Sequence, residues 1–381
     1  MARLTFDDYD LPRARRYARI RRTGFLAGMA TSMLWEAGLV KTGYAARLRE
    51  QIDRKTALPA AADAAHIMLL SGQGWLVGLP VRIVTGHLIE RQYGMSKQST
   101  AHWLKNELKS LGVGLVFAVP TATAAFAVMR RRPDDWHIIL ASAAIPAQLL
   151  LTQLAPVILF PIFNTFTPIE EGELKARIEA LAQQAAVTIN GAFLMDLSSQ
   201  TERANAFFAG IGATKRIVLG DTLVRAFEDD EIEGVVAHEI GHQVHHDLWR
   251  SSALNVASGY LMAFGLKALV PKLAEATEPM TGSSESDISA SLPLWMLAAG
   301  AFASAISPLQ LLLSRRIERR TDAYAVKLTG NPAAYARGME RLMRKNLDDP
   351  YPSRFVTWFF RSHPPTGERI EAALAAAERS G

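Results

Sequence analysis

His238-Glu239-Ile240-Gly241-His242 decides how the rest of this 381-residue chain is read. The stretch spells H-E-x-x-H, two imidazoles one helical turn apart with a carboxylate beside the first. Positions i and i+4 of a helix share a face, so both rings can close on one metal ion. Zinc accepts such nitrogen donors, requires a third protein ligand, and in a catalytic site keeps its last position for water. Glu239 would then take the proton from that water as it attacks a carbonyl.

The flanking residues predict the helix. Asp229, Asp230, Glu231 and Glu233 suit a first turn at the positive end of the macrodipole. Ile232, Val235, Val236, Ile240 and Val244 supply an apolar face. His246 extends the row of His238 and His242, but a straight helix cannot wrap three successive turns around one tetrahedral ion. The longer pattern H-E-x-x-H-x-x-G-x-x-H also fails, because His245 stands in place of the glycine and Leu248 in place of the last histidine. A third ligand must come from elsewhere.

The composition predicts a membrane protein with a polar domain. At 49% hydrophobic residues and a mean hydropathy of +0.07 the chain is high for a soluble protein and low for a pure membrane bundle, so a mixture is the natural reading. Stretches near 24–41, 65–87, 111–129, 137–160, 252–270 and 292–313 approach the ~20 apolar residues that cross a bilayer. Pro146 and Pro156 predict a kink or an interfacial extension in the fourth. The net charge of +5 does not point to nucleic acid, since the basic residues cluster beside apolar runs without interleaved aromatics. The absence of cysteine excludes disulfides and thiolate metal sites.

Arg3, Arg13, Arg15, Arg16, Arg19, Arg21 and Arg22 argue for a cytoplasmic N-terminus. No small-residue cleavage site follows, so a cleavable signal is not expected. Residues 271–291 carry only Lys272 as a basic residue and would lie outside; the 42–63 loop and Arg130-Arg131-Arg132 would lie outside against the rule. The expected division is a membrane region of four spans at 1–165, then a domain at 166–381 that contains the last two. In the polar block, Glu170–Ala186 reads as an amphipathic helix, while Phe193–Leu197 and Arg216–Leu219 read as short strands.

Beyond the sixth span, Glu318 and Asp322 are i and i+4 on one helical face. Such a pair suits a carboxylate ligand and a second carboxylate that orients a metal-bound histidine. Among Arg315, Arg316, Arg319 and Arg320, however, such acidic residues are more usually a solvated salt-bridged face. Spacing alone leaves both readings open.

The H-E-x-x-H stretch together with Ser314-Arg315-x-x-Glu318-x-x-x-Asp322 resembles the integral-membrane zinc endopeptidases of the CAAX prenyl protease 1 family. Glu90–Ser99, Pro161–Pro168, Asn205–Gly210 and Ser362–Ile370 resemble further segments of that family, in its order, so that the likeness covers roughly residues 85–375. The resemblance implies a mainly α fold, a multi-span transmembrane bundle joined to an α+β zinc-peptidase domain with a small substrate-binding sheet. It implies one Zn2+ held by His238, His242 and Glu318, with Glu239 as general base and Asp322 behind the ligands. It further implies that His363 helps hold the oxyanion and that Asn205 lies on the strand along which substrate pairs. Arg369 is expected to be either structural or a binder of a substrate carboxylate.

The expected partners are the lipid bilayer and polypeptide substrates, membrane-associated, CAAX-type or misfolded. Six spans rather than seven, and no tail with a retention signal, suggest a bacterial relative, and a cytoplasmic N-terminus followed by four spans places its site toward the cytoplasm of the inner membrane. The rival readings are the smaller heat-shock membrane zinc proteases and, in a different class, a non-catalytic membrane scaffold with a vestigial zinc site. The intact Glu239 favours an enzyme, because binding zinc alone requires no general base.

Overall fold

The computed structural model describes residues 4–210, 212–281 and 288–380. Helix α1, Leu11–Thr42, is begun by the Asp10 side chain, which accepts from the Arg13 N–H at 2.9 Å, and is ended by Gly43 in the left-handed region. Then come α2 (Tyr44–Asp53), α3 (Pro59–Gln92), α4 (Thr100–Arg131) and α5 (Trp136–Phe163). With ten residues, α2 is too short to cross a bilayer. The expected disturbance at Pro156 is a π turn over Ala155–Leu159, where the missing N–H breaks the i→i−4 ladder without ending the helix. Another π turn follows Pro80, at Ile83–Leu88.

The polar block contributes β1 (Phe166–Pro168), α6 (Glu173–Gln184), β2 (Ala192–Met195), β3 (Ala206–Ala209), β4 (Arg216–Gly220) and α7 (Asp221–Val224). It continues with α8 (Asp229–Val244), α9 (Asp247–Thr281), α10 (Leu292–Thr329), α11 (Pro332–Asn346), α12 (Arg354–Phe360) and α13 (Thr366–Ser380). The fold is thus mainly helical, with one small mixed sheet in the order β1-β2-β4-β3. β2 and β4 run parallel, β1 and β3 antiparallel to their neighbours, and β3 is an edge. Ile178, Ile217, Leu219, Leu223, Ile232, Val236 and Ile240 pack sheet and helices into one core.

Five helices among the described residues, α3, α4, α5, α9 and α10, are long and apolar enough to cross a membrane. Their outward side chains, among them Leu76, Val116, Leu150 and Leu261, are more than half exposed, the pattern of a surface solvated by lipid. The remaining expected span, 24–41, lies within α1, which carries Glu36 but also exposes Phe25, Met29, Met33 and Leu34. Helix α10 runs for 38 residues, so it leaves the apolar layer and continues into the polar block. At the other end of the spans, fully buried Asp63 pairs with both Arg49 and Arg130. The N-terminus packs against the polar block: Leu4 N donates to Tyr351 Oη at 3.0 Å, and Tyr9 Oη donates to the Asp348 carbonyl at 2.7 Å.

Candidate metal centre

Helix α8 is opened by a capping box between Glu228 and Glu231. Its first face enters the core through Ile232, Val236 and Ile240, which turns His238 and His242 toward α10. Gly241 permits the close approach. A Cβ there would lie 2.9 Å from Thr321 Cγ2 and 3.1 Å from Tyr324 Cδ1, both on α10. The unspecified fourth residue of H-E-x-x-H is therefore constrained here by helix packing.

That contact brings Glu318 against both histidines. One ligand atom each from His238, His242 and Glu318 lies within 4.8 Å of the others. Glu318 Oε2 is 3.3 Å from His238 Nε2, and Oε1 is 3.7 Å from His242 Nε2. Oε2 is buried without a hydrogen-bond partner, a costly state for a carboxylate oxygen unless a cation is bound there. Two imidazoles and a carboxylate match the donors of a catalytic zinc site, and the residues fit such an ion.

The opposite ring nitrogens are held by carboxylates. His238 Nδ1 is 3.0 Å from Asp322 Oδ1, and His242 Nδ1 is 3.0 Å from Asp247 Oδ2. Both contacts leave Nε2 for a metal. Buried Arg369 donates to Asp322 through Nε at 2.9 Å and Nη2 at 2.6 Å, and Tyr335 Oη donates to the same carboxylate at 2.6 Å. Burial holds the Tyr335 hydroxyl well above the ordinary phenol range, so it remains a donor. Arg320 supports Asp247 by a single contact from Nη2 to Oδ1, without the two-point fork that Arg369 makes on Asp322. Asp247 and Tyr335 were not among the residues expected from sequence. Asp247 follows the end of α8, where His246 takes a left-handed φ of 55° and points to solvent instead of extending the ligand row.

Asp247→Asn should weaken metal binding about 10–100-fold, the usual effect of losing an outer carboxylate. Competition with a chromogenic chelator measures it, and unchanged affinity would remove Asp247 from the site.

Glu239 lies between two cavities. One, of about 920 Å3, is lined by Glu239, His242, Phe207, Phe208, Leu254 and Leu313, and extends between α9 and α10. The other, of about 340 Å3, is more polar than the first, and its lining includes Glu239, His238, Asn205, His363 and Arg369. Burial pushes the Glu239 carboxyl above the usual carboxylate range, while His238 and His242 pull it back. His363 Nε2 is 3.4 Å from Glu318 Oε2, and its Nδ1 is 2.8 Å from Ser362 Oγ. Asn205 precedes the edge strand β3, and its carbonyl accepts from Gly220 N at 2.9 Å.

Residues 168–377 match the family model of peptidase family M48. The chain belongs to this family. Residues 3–165 match the CAAX prenyl protease N-terminal model, described as five membrane helices. Among relatives of this M48 chain, CAAX prenyl protease 1 of Saccharomyces cerevisiae is 31% identical over 342 residues, covering 84% of this chain and 73% of that protein. The uncharacterized metalloprotease YhfN of Bacillus subtilis is 27% identical over 369 residues, covering 96% and 85%. The crystal structure of S. mikatae Ste24p matches with a TM-score of 0.84 and 25% identity, over 98% of this chain and 91% of that one. The M48 chain is a multi-pass membrane metallopeptidase related to the CAAX prenyl proteases.

Proposed function

We propose that this M48 chain is a zinc endopeptidase that cuts membrane-associated polypeptides. The observation that carries the reading is the meeting of His238, His242 and Glu318 beside Glu239, at the junction of the two cavities. One zinc ion per chain, held by those three residues, would acidify water and polarise the scissile carbonyl. Glu239 takes the proton of the attacking water and passes it to the leaving amine. His363 donates from its ring to the developing oxyanion, a role supported by its place across Glu318 from the histidine pair. Asn205 and β3 receive the substrate as an added strand, supported by the free edge of β3 and by Phe207 and Phe208 in the cavity wall. Arg369 is a positioning residue for Asp322 rather than a binder of substrate carboxylate; its guanidinium is buried and already engaged. The membrane region, 1–165, and the peptidase domain, 166–381 with its two spans, divide these tasks.

The site faces the cytoplasm of a bacterial inner membrane in this proposal. The arginine-rich N-terminus packs on the same side as the peptidase domain, as the contacts of Leu4 and Tyr9 require. Arg49 and Arg130, at the far end, are ion-paired with Asp63. CAAX-type and misfolded membrane proteins are the proposed substrates.

Purified in detergent, the chain should cut an unfolded peptide pool at internal bonds. Chelation should abolish cleavage and one equivalent of zinc restore it, as followed by mass spectrometry of the products. Release of terminal residues alone, or cleavage indifferent to chelation, would overturn the proposal.

A further inference from the structure

Helix α12 has the sequence Arg354-Phe355-Val356-Thr357-Trp358-Phe359-Phe360. Phe355, Trp358 and Phe359 stand at i, i+3 and i+4, so they share a face, and they are 64%, 48% and 46% exposed. Three large aromatic side chains on seven residues are an unusual surface to leave in water. From another direction the helix is tied down, with buried Arg315 donating to the carbonyls of Thr357 at 2.8 Å and Arg361 at 2.6 Å.

Its neighbours fix its depth. The Phe360 ring meets Phe25 of α1 edge-on at 6.3 Å, and the Arg22 guanidinium lies 6.0 Å over the same ring. Residues 22–25 are where α1 passes from its arginine-rich start to its apolar length. Arg315 marks the same passage on α10, since exposed Leu309 lies less than two turns before it and exposed Arg316 directly after. Trp249 stands exposed in the first turn of a third long helix, α9. Tryptophan and arginine concentrate at the level where spans leave the bilayer. The aromatic face is also continuous, through Phe25, with the exposed apolar side of α1 at Met29 and Met33.

We propose that α12 is seated in the headgroup–acyl boundary, with Phe355, Trp358 and Phe359 inserted among lipid chains. Arg354, Arg316 and Arg22 lie at the level of anionic headgroups. Lipid is favoured over a second copy of the chain as the occupant because the patch is bordered by arginines, which a like surface would repel. Arg361, Ser362 and His363 follow α12 directly, so the membrane surface itself would set the height of the His363 loop.

The chain has no cysteine, so single sites can be introduced cleanly. Phe355→Cys and Trp358→Cys, each carrying a nitroxide label, are placed in phosphatidylethanolamine–phosphatidylglycerol vesicles and read by power-saturation electron paramagnetic resonance. At both sites collision with oxygen should exceed collision with an aqueous nickel chelate, as at a Leu34→Cys reference on α1. A Glu368→Cys reference should show the reverse. Nickel-dominated collision at either helix site would overturn the proposal by placing the face in water. Protection from both reagents would overturn it by placing the face against protein. The readout does not depend on peptidase activity, so it stands apart from the proposed reaction.

Discussion

Glu239→Gln should leave a chain that folds and binds one zinc ion with unchanged affinity, yet cleaves the peptide pool about a hundredfold to ten-thousandfold more slowly. The substitution preserves the size of the side chain and removes only its ability to take and return a proton. None of the three proposed ligand atoms belongs to Glu239, so metal binding and turnover should separate. Turnover on the same preparation, with metal content by mass spectrometry, checks both halves. Equal cleavage by the variant and the wild type would remove Glu239 from the reaction and reopen the scaffold reading.

Arg369→Ala should have its largest effect on the fold. It strips the bidentate partner from Asp322 and leaves a buried carboxylate uncompensated, which costs about 3–5 kcal/mol in comparable pairs. Tyr335 Oη still donates to Asp322, but one neutral donor does not replace a guanidinium fork. With Asp322 freed, His238 loses the carboxylate at its Nδ1, and zinc affinity should fall about 10–100-fold. Thermal unfolding and a zinc titration measure the two effects. A substrate-binding role would predict a raised KM with stability and zinc affinity intact, an outcome that would reverse the assignment of Arg369.

The parts of the site that could be read from sequence are those set by local periodicity. His238, Glu239 and His242 follow from one turn of a helix with a marked apolar face. Glu318 and Asp322 have the right spacing, but four neighbouring arginines make an ordinary salt-bridged face the more usual reading, and only the family resemblance sets them apart. Asp247 escaped because it reaches His242 by leaving the helix at His246, where i+4 arithmetic ceases to apply. Tyr335 and Arg369 reach Asp322 through tertiary packing with no sequence period at all. In the fold, β2 and β4 carried enough aliphatic residues to be seen, whereas β1, with three residues, is too short to show alternation. The long apolar helices were legible, but their ends were not: α9 and α10 continue as polar helix well past the expected 252–270 and 292–313.

The edge strand β3 is four residues long, about 13 Å of extended backbone. If substrate pairs along it as proposed, it is a short ruler that would fix the register of only a few residues around the cut bond. A grip that small distinguishes poorly between side-chain sequences, because most of its hydrogen bonds go to backbone that every polypeptide shares. Discrimination then passes from spelling to reach. On the proposed reading, a segment would be cut when it can arrive unfolded, in extended form, at a groove fixed beside the bilayer, and a folded domain would be spared by its shape.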